Sequence, residues 1–159
     1  MIGSTTGRYL LLVLAVLAIA AFGCGKKSSG SKSVTPPVHT CVNMGTATYV
    51  GTENVAVTSG ACPNYTDLSV TFTIVQTAGS CDFTLQSTRI PGTTSHGTVT
   101  DSTITWTGSY PQATGTVTIN SATAALTSNL TNLNGNFTWT YAGNTSCTGT
   151  TTFHVVKQQ

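Results

Sequence analysis

The chain has 159 residues, and only 6% are Asp, Glu, Lys or Arg, where about a quarter is usual. Its formal charge of +2 comes from the amino-terminal region: from residue 39 onward the acids are Glu53, Asp67, Asp82 and Asp101 and the bases Arg89 and Lys157. That slightly acidic remainder gives no footing for nucleic acid, and threonine, about one residue in five, stands where charges normally would.

The first element in chain order is the apolar run from Tyr9 to Phe22, preceded by MIGSTTGR with its single Arg8. A positive start, an apolar run and small residues after it make a signal-peptide layout. The run is shorter than the roughly 20 apolar residues of a membrane-spanning helix. Its end, Ala21-Phe22-Gly23-Cys24, resembles a bacterial lipobox. That resemblance implies that residues 1–23 are removed and that Cys24 carries acyl chains of the palmitate type as the first residue of the mature protein. Gly25 in place of Asp after the cysteine favours the outer membrane in the enterobacterial sorting rule, with the face unspecified. The alternatives are an ordinary secretory signal cut near Ala21 or Gly23, or an uncleaved anchor. A single acyl chain holds a protein only marginally, whereas several chains on one cysteine give stable attachment.

Residues 24–38 read as a tether. GKKSSGSKSVTPPV is rich in Gly and Ser, hence flexible, and Pro36-Pro37 stiffens its end. Lys26, Lys27 and Lys32 either serve as plain solvating charges or gain ~1 kcal/mol each against anionic lipid.

Residues 39–159 are enough for one domain with its own core. Apolar and polar residues alternate with a period of two: Leu68-Val70-Phe72-Ile74, Ile104-Trp106, Val117-Ile119, Phe137-Trp139-Tyr141 and Phe153-Val155 are interleaved mainly with Thr. This pattern predicts strands with one apolar and one wet face. Eight are expected, at 46–58, 67–77, 82–88, 95–100, 103–109, 115–126, 133–141 and 148–156. Turn chemistry marks Gly60–Thr66, Gly79-Ser80, Pro91-Gly92, Asp101-Ser102, Tyr110–Gly115, Asn134-Gly135 and Gly143-Asn144. Asp101-Ser102 and Asn134-Gly135 are short enough for tight hairpins.

Short links make antiparallel neighbours. The fold class is therefore all-β: an up-and-down barrel, favoured because closure removes exposed edges, or a two-layer sandwich. The segment GTATYVGTENVAV, Gly45 to Val57, resembles the long first strand of lipocalin-like (calycin) barrels, with Tyr49 in the place usually held by Trp. What the resemblance implies is a barrel whose mouth admits a small apolar ligand.

Cys41, Cys62, Cys81 and Cys147 form an even set in an exported domain, which points to two disulfides. A barrel brings the last strand beside the first, so Cys62–Cys147 and Cys41–Cys81 are the expected pairs. Local stapling would give Cys41–Cys62 and Cys81–Cys147 instead.

Candidate chemistry is sparse, and no cofactor or metal is expected. His39 falls in the tether, His96 in or beside a turn, and His154 outward. A triad built on His96 and Asp101, or a metal on His96 and His154, has little behind it in so Thr-rich a chain. The four carboxylates read as solvated turn residues rather than a catalytic pair. Phe72, Trp106, Phe137, Trp139 and Phe153 are inward residues that either pack as core or line an apolar pocket. The expected function is a membrane-anchored lipoprotein holding a small apolar ligand inside a barrel. The alternative is a structural or surface-interaction module with a solid core. An enzyme is not expected.

Overall fold

The computed structural model describes residues 39–159; the expected leader, tether and lipidation site Cys24 lie outside the described residues. All regular structure within them is strand: β1 (Thr46–Ser59), β2 (Tyr65–Gln76), β3 (Asp82–Ser87), β4 (Thr94–Thr100), β5 (Thr103–Gln112), β6 (Gly115–Leu126), β7 (Asn132–Gly143) and β8 (Ser146–Lys157). Each strand pairs antiparallel with the next, and β8 returns to β1, so the sheet is a closed meander barrel. The sandwich is thereby ruled out.

Alternation sorts the side chains. Val70, Phe72, Ile74, Ile104, Trp106, Leu133, Phe153 and Val155 are buried inside, where burial contributes roughly 1.5–3 kcal/mol per large side chain. Hydroxyls cover the outside and pair across strands, as in Thr98–Thr105, Ser109–Thr118 and Thr58–Thr148. Apolar inside and polar outside is the inverse of a barrel that spans a membrane. At the closing seam Gly51 lies so close to the backbone of His154 and Val155 that a Cβ there would collide with main chain.

The two disulfides staple opposite ends. Cys41–Cys81, with Cα atoms 4.9 Å apart, ties the amino-terminal segment to the start of β3. Cys62–Cys147, at 6.1 Å, ties the β1–β2 loop to β8. These are the pairs expected from a barrel. In the chain-entropy account, loops of this size are worth about 4 to 5 kcal/mol each.

The first end is closed. Met44 is buried in the core, and Gln76 holds the segment before it: Met44 N–H donates to Gln76 Oε1 at 2.6 Å, and Gln76 Nε2 donates to the carbonyls of Val42 and Ser80 at 2.9 and 2.7 Å. Tyr49 donates its hydroxyl to the Leu130 carbonyl across the same end. His39 is not free in a tether. It lies 3.3 Å from Asp101 Oδ2, and Thr40 exchanges hydrogen bonds with the same aspartate. The Thr40 N–H, and then His39, hold the Asp101 carboxyl below its usual range. Asp101 therefore partners His39, not His96, and it takes the positive φ of a tight hairpin as expected.

Two expected turns are corrected. Asn134-Gly135 lies inside β7, paired on both sides; the hairpin is the Thr127–Thr131 loop, where Leu130 has positive φ and Asn129 Oδ1 accepts from Thr131. The turn expected at Tyr110–Gly115 is only Ala113-Thr114, because β5 runs on through Pro111. Beyond Thr107, β5 pairs with β6 alone, leaving an edge on which proline is tolerated.

All eight strands, the closing seam, the core and both disulfides fall within one compact unit, described over residues 39–159. Among the described residues, the strand pairings, core contacts and disulfides that close the barrel are thus all made within this unit. Replacing Gln76 by Leu strands the Met44 N–H and two carbonyls, so Q76L is expected to lose about 2–4 kcal/mol in urea unfolding of this unit. A loss within error of zero would mean that the plugged end contributes nothing to stability.

Candidate functional site

The other end of the barrel is open and contains a cavity of about 410 Å³. Its shape follows from strand length. β3 and β4 are short, so β2 above Phe72 and β5 above Thr107 rise past them. The β3–β4 turn fills that notch. It is held by the Ile90 N–H on the Ser87 carbonyl and the Arg89 N–H on Ser87 Oγ, and it carries Arg89 and Ile90 to the cavity wall.

An aromatic layer lies low in the barrel. Phe153 meets Phe72 edge-on at 5.2 Å, and Trp106 and Phe137 lie against it at 5.7 and 6.3 Å. Of the expected lining residues, Phe72, Trp106, Phe137 and Trp139 reach the cavity wall. Phe153 does not; the rings of Phe72, Trp106 and Phe137 pack against it. The indole of Trp139 lies over Gly149, where any Cβ would strike the ring. Trp139 is 8% exposed, and its Nε1–H is buried without a hydrogen-bond partner.

The wall also holds polar groups that the sequence reading missed. Glu53 is not a solvated turn residue. It continues the inward series Tyr49, Gly51, Glu53, Val55 on β1 and is 5% exposed. Arg89 Nε donates to Glu53 Oε1 at 3.0 Å, from a side chain that remains 44% exposed. Burial raises the Glu53 carboxyl above its ordinary value, and the Arg89 charge and hydrogen bond oppose that rise. Tyr110, expected in a turn, points inward at 6% exposure; burial, and then the nearby Glu53 charge, push its hydroxyl up to about 12. Parity was the available signal: Glu53 is even-spaced from Tyr49, and Tyr110 from Trp106.

The histidines stand apart from this site. His96 is exposed within β4 and His154 on β8, where its ring contacts Asn134; the two strands are not neighbours. Among the described residues no cluster of three or more His, Cys, Asp or Glu has the geometry to hold a metal ion. The arrangement is suited to enclosing a molecule with an apolar body and a polar end, since aromatic walls face one internally neutralised ion pair.

The sequence matches no protein-family model and no curated protein. Among solved structures, the chain is similar to the isotype 1 transferrin binding protein B from serogroup B Neisseria meningitidis, with a TM-score of 0.52 and 16% identity over 74% of this chain. The match spans 26% of that protein's chain, so this chain corresponds to about a quarter of it. At that identity the likeness is one of fold.

The Glu53 environment has a pH signature. A carboxyl whose folded pKa is raised adds stability as pH falls through the folded value, and the gain is complete below the ordinary value of 4.5. Thermal melts of wild type and E53Q from neutral pH down to that value should therefore show the difference shifting in favour of wild type. A constant difference would mean that Glu53 is not desolvated.

Proposed function

We propose that this chain is an exported lipoprotein, held at the outer membrane through lipidated Cys24, whose barrel binds a small, mostly apolar molecule without converting it. The observation that carries the reading is the open-ended cavity of about 410 Å³ walled by Phe72, Trp106, Phe137 and Trp139. That volume lies in the range of small-molecule sites. Disulfides at both ends of the barrel fit an oxidising compartment outside the cytoplasm. The lipobox-like Ala21-Phe22-Gly23-Cys24 supplies the anchor. The absence of conversion is supported by the position of His39, His96 and His154 outside the cavity lining.

A second reading is a surface module that engages a protein partner through its outer face. It draws on the fold likeness to part of a protein named for binding transferrin.

Native mass spectrometry of the 39–159 unit, purified oxidised from its own host, separates the two. A small molecule lost on denaturation is expected, and V117W, which places an indole in the cavity, should lower its retention by about tenfold or more. An unliganded mass would favour the surface module. For the anchor, labelled palmitate should be incorporated into the full chain and lost in C24A, with the variant leaving the membrane fraction. Unchanged labelling in C24A would remove Cys24 as the attachment point.

A further inference from the structure

The ion pair in the cavity wall restricts what the cavity selects. Arg89 uses Nε on Glu53 Oε1, which leaves the Nη donors of the guanidinium and the second carboxylate oxygen without a protein partner among the described residues. Trp139 Nε1 is the one buried side-chain nitrogen or oxygen that lacks a partner among them. The open atoms of Glu53 and Arg89 are therefore not sealed in protein, and both residues line the cavity. An acceptor and a set of donors are thus presented side by side, with the Tyr110 hydroxyl near them, above an aromatic floor.

We propose that the cavity selects a ligand of zero net charge whose polar end carries a hydrogen-bond donor beside an acceptor. The donor is received by the free oxygen of Glu53 and the acceptor by the Nη groups of Arg89, while the apolar body lies on Phe72, Trp106 and Phe137. This rests on the reading of the cavity as a binding site. The pair already neutralises itself, so an anionic head such as a fatty carboxylate brings an uncompensated charge beside buried Glu53, and an ammonium head does the same beside Arg89. A purely apolar ligand leaves both open atoms desolvated and unpaired. A primary amide, a lactam edge and a zwitterionic amino acid share the required chemistry.

Calorimetric titration of the 39–159 unit near neutral pH, with probes sharing one aromatic body, tests this. The probes are naphthamide, naphthylalanine, naphthoate, naphthylmethylamine and methylnaphthalene. Naphthamide, naphthylalanine or both should bind about tenfold or more tightly than the other three. The winner tells a neutral amide edge from a zwitterion. E53Q leaves the guanidinium uncompensated and should move the preference to naphthoate. R89Q leaves the carboxylate uncompensated and should move it to naphthylmethylamine. If either variant does not fold, as judged by circular dichroism, the wild-type ranking decides alone. Equal affinities for all probes, or naphthoate, naphthylmethylamine or methylnaphthalene as the tightest in wild type, would overturn the inference and leave the cavity as a binding site. No binding of any probe to folded wild type would overturn both.

Discussion

Closure of β8 on β1 is the constraint on which the rest of this structure depends. The two strands pair from Tyr49–Lys157 to Ser59–Thr148. Without that seam the sheet would have two long, charge-poor edges, which are templates for aggregation. With it, every strand acquires an inner and an outer face, and the period-two alternation acquires a meaning. Inner residues are removed from water and outer ones are not. The close approach at Gly51 belongs to the same seam: only a residue without a side chain lets the first strand lie against the backbone of the last.

Closure alone would give a tube with similar ends. The difference between them comes from shorter-range features. At one end Gln76, the Cys41–Cys81 bridge and the Asp101 turn bind the amino-terminal segment across the opening, and Met44 fills it. At the other, two short strands leave a notch, and the turn above them carries a cation to a carboxylate on β1. An ion pair with one buried and one half-exposed partner is weak evidence for stability, since desolvation of the carboxylate and solvent screening of the guanidinium offset much of its attraction. Its position in the cavity wall at the open end is what ties it to the proposed binding site.

Much of this was legible in the sequence, because alternation, short links and an even cysteine count each constrain the same architecture. Strand ends fell within three residues of expectation, and the disulfide pairs followed from which ends a barrel brings together. The misses have physical causes. The charge of Glu53 points to solvent while its parity with Tyr49 points inward, and parity prevails. Tyr110 was masked by the proline and glycine that follow it. Asn134-Gly135 has ideal turn chemistry, but Gly135 pairs with Ala124 on one side and Phe153 on the other, and the ladders override the dipeptide. Phe153 shows the limit of parity: alternation says which way a ring points, while its height in the barrel depends on register, and that height decides whether it walls the cavity or lies beneath it.

The threonine coat has a consequence for how the protein meets its surroundings. Paired hydroxyls such as Thr98–Thr105 and Ser109–Thr118 are dipoles, and dissolved ions screen charges far more than dipoles. A barrel with so few surface charges casts little long-range field, so molecules reach it by unguided diffusion. Encounter rates and solubility then hardly vary between dilute and saline media.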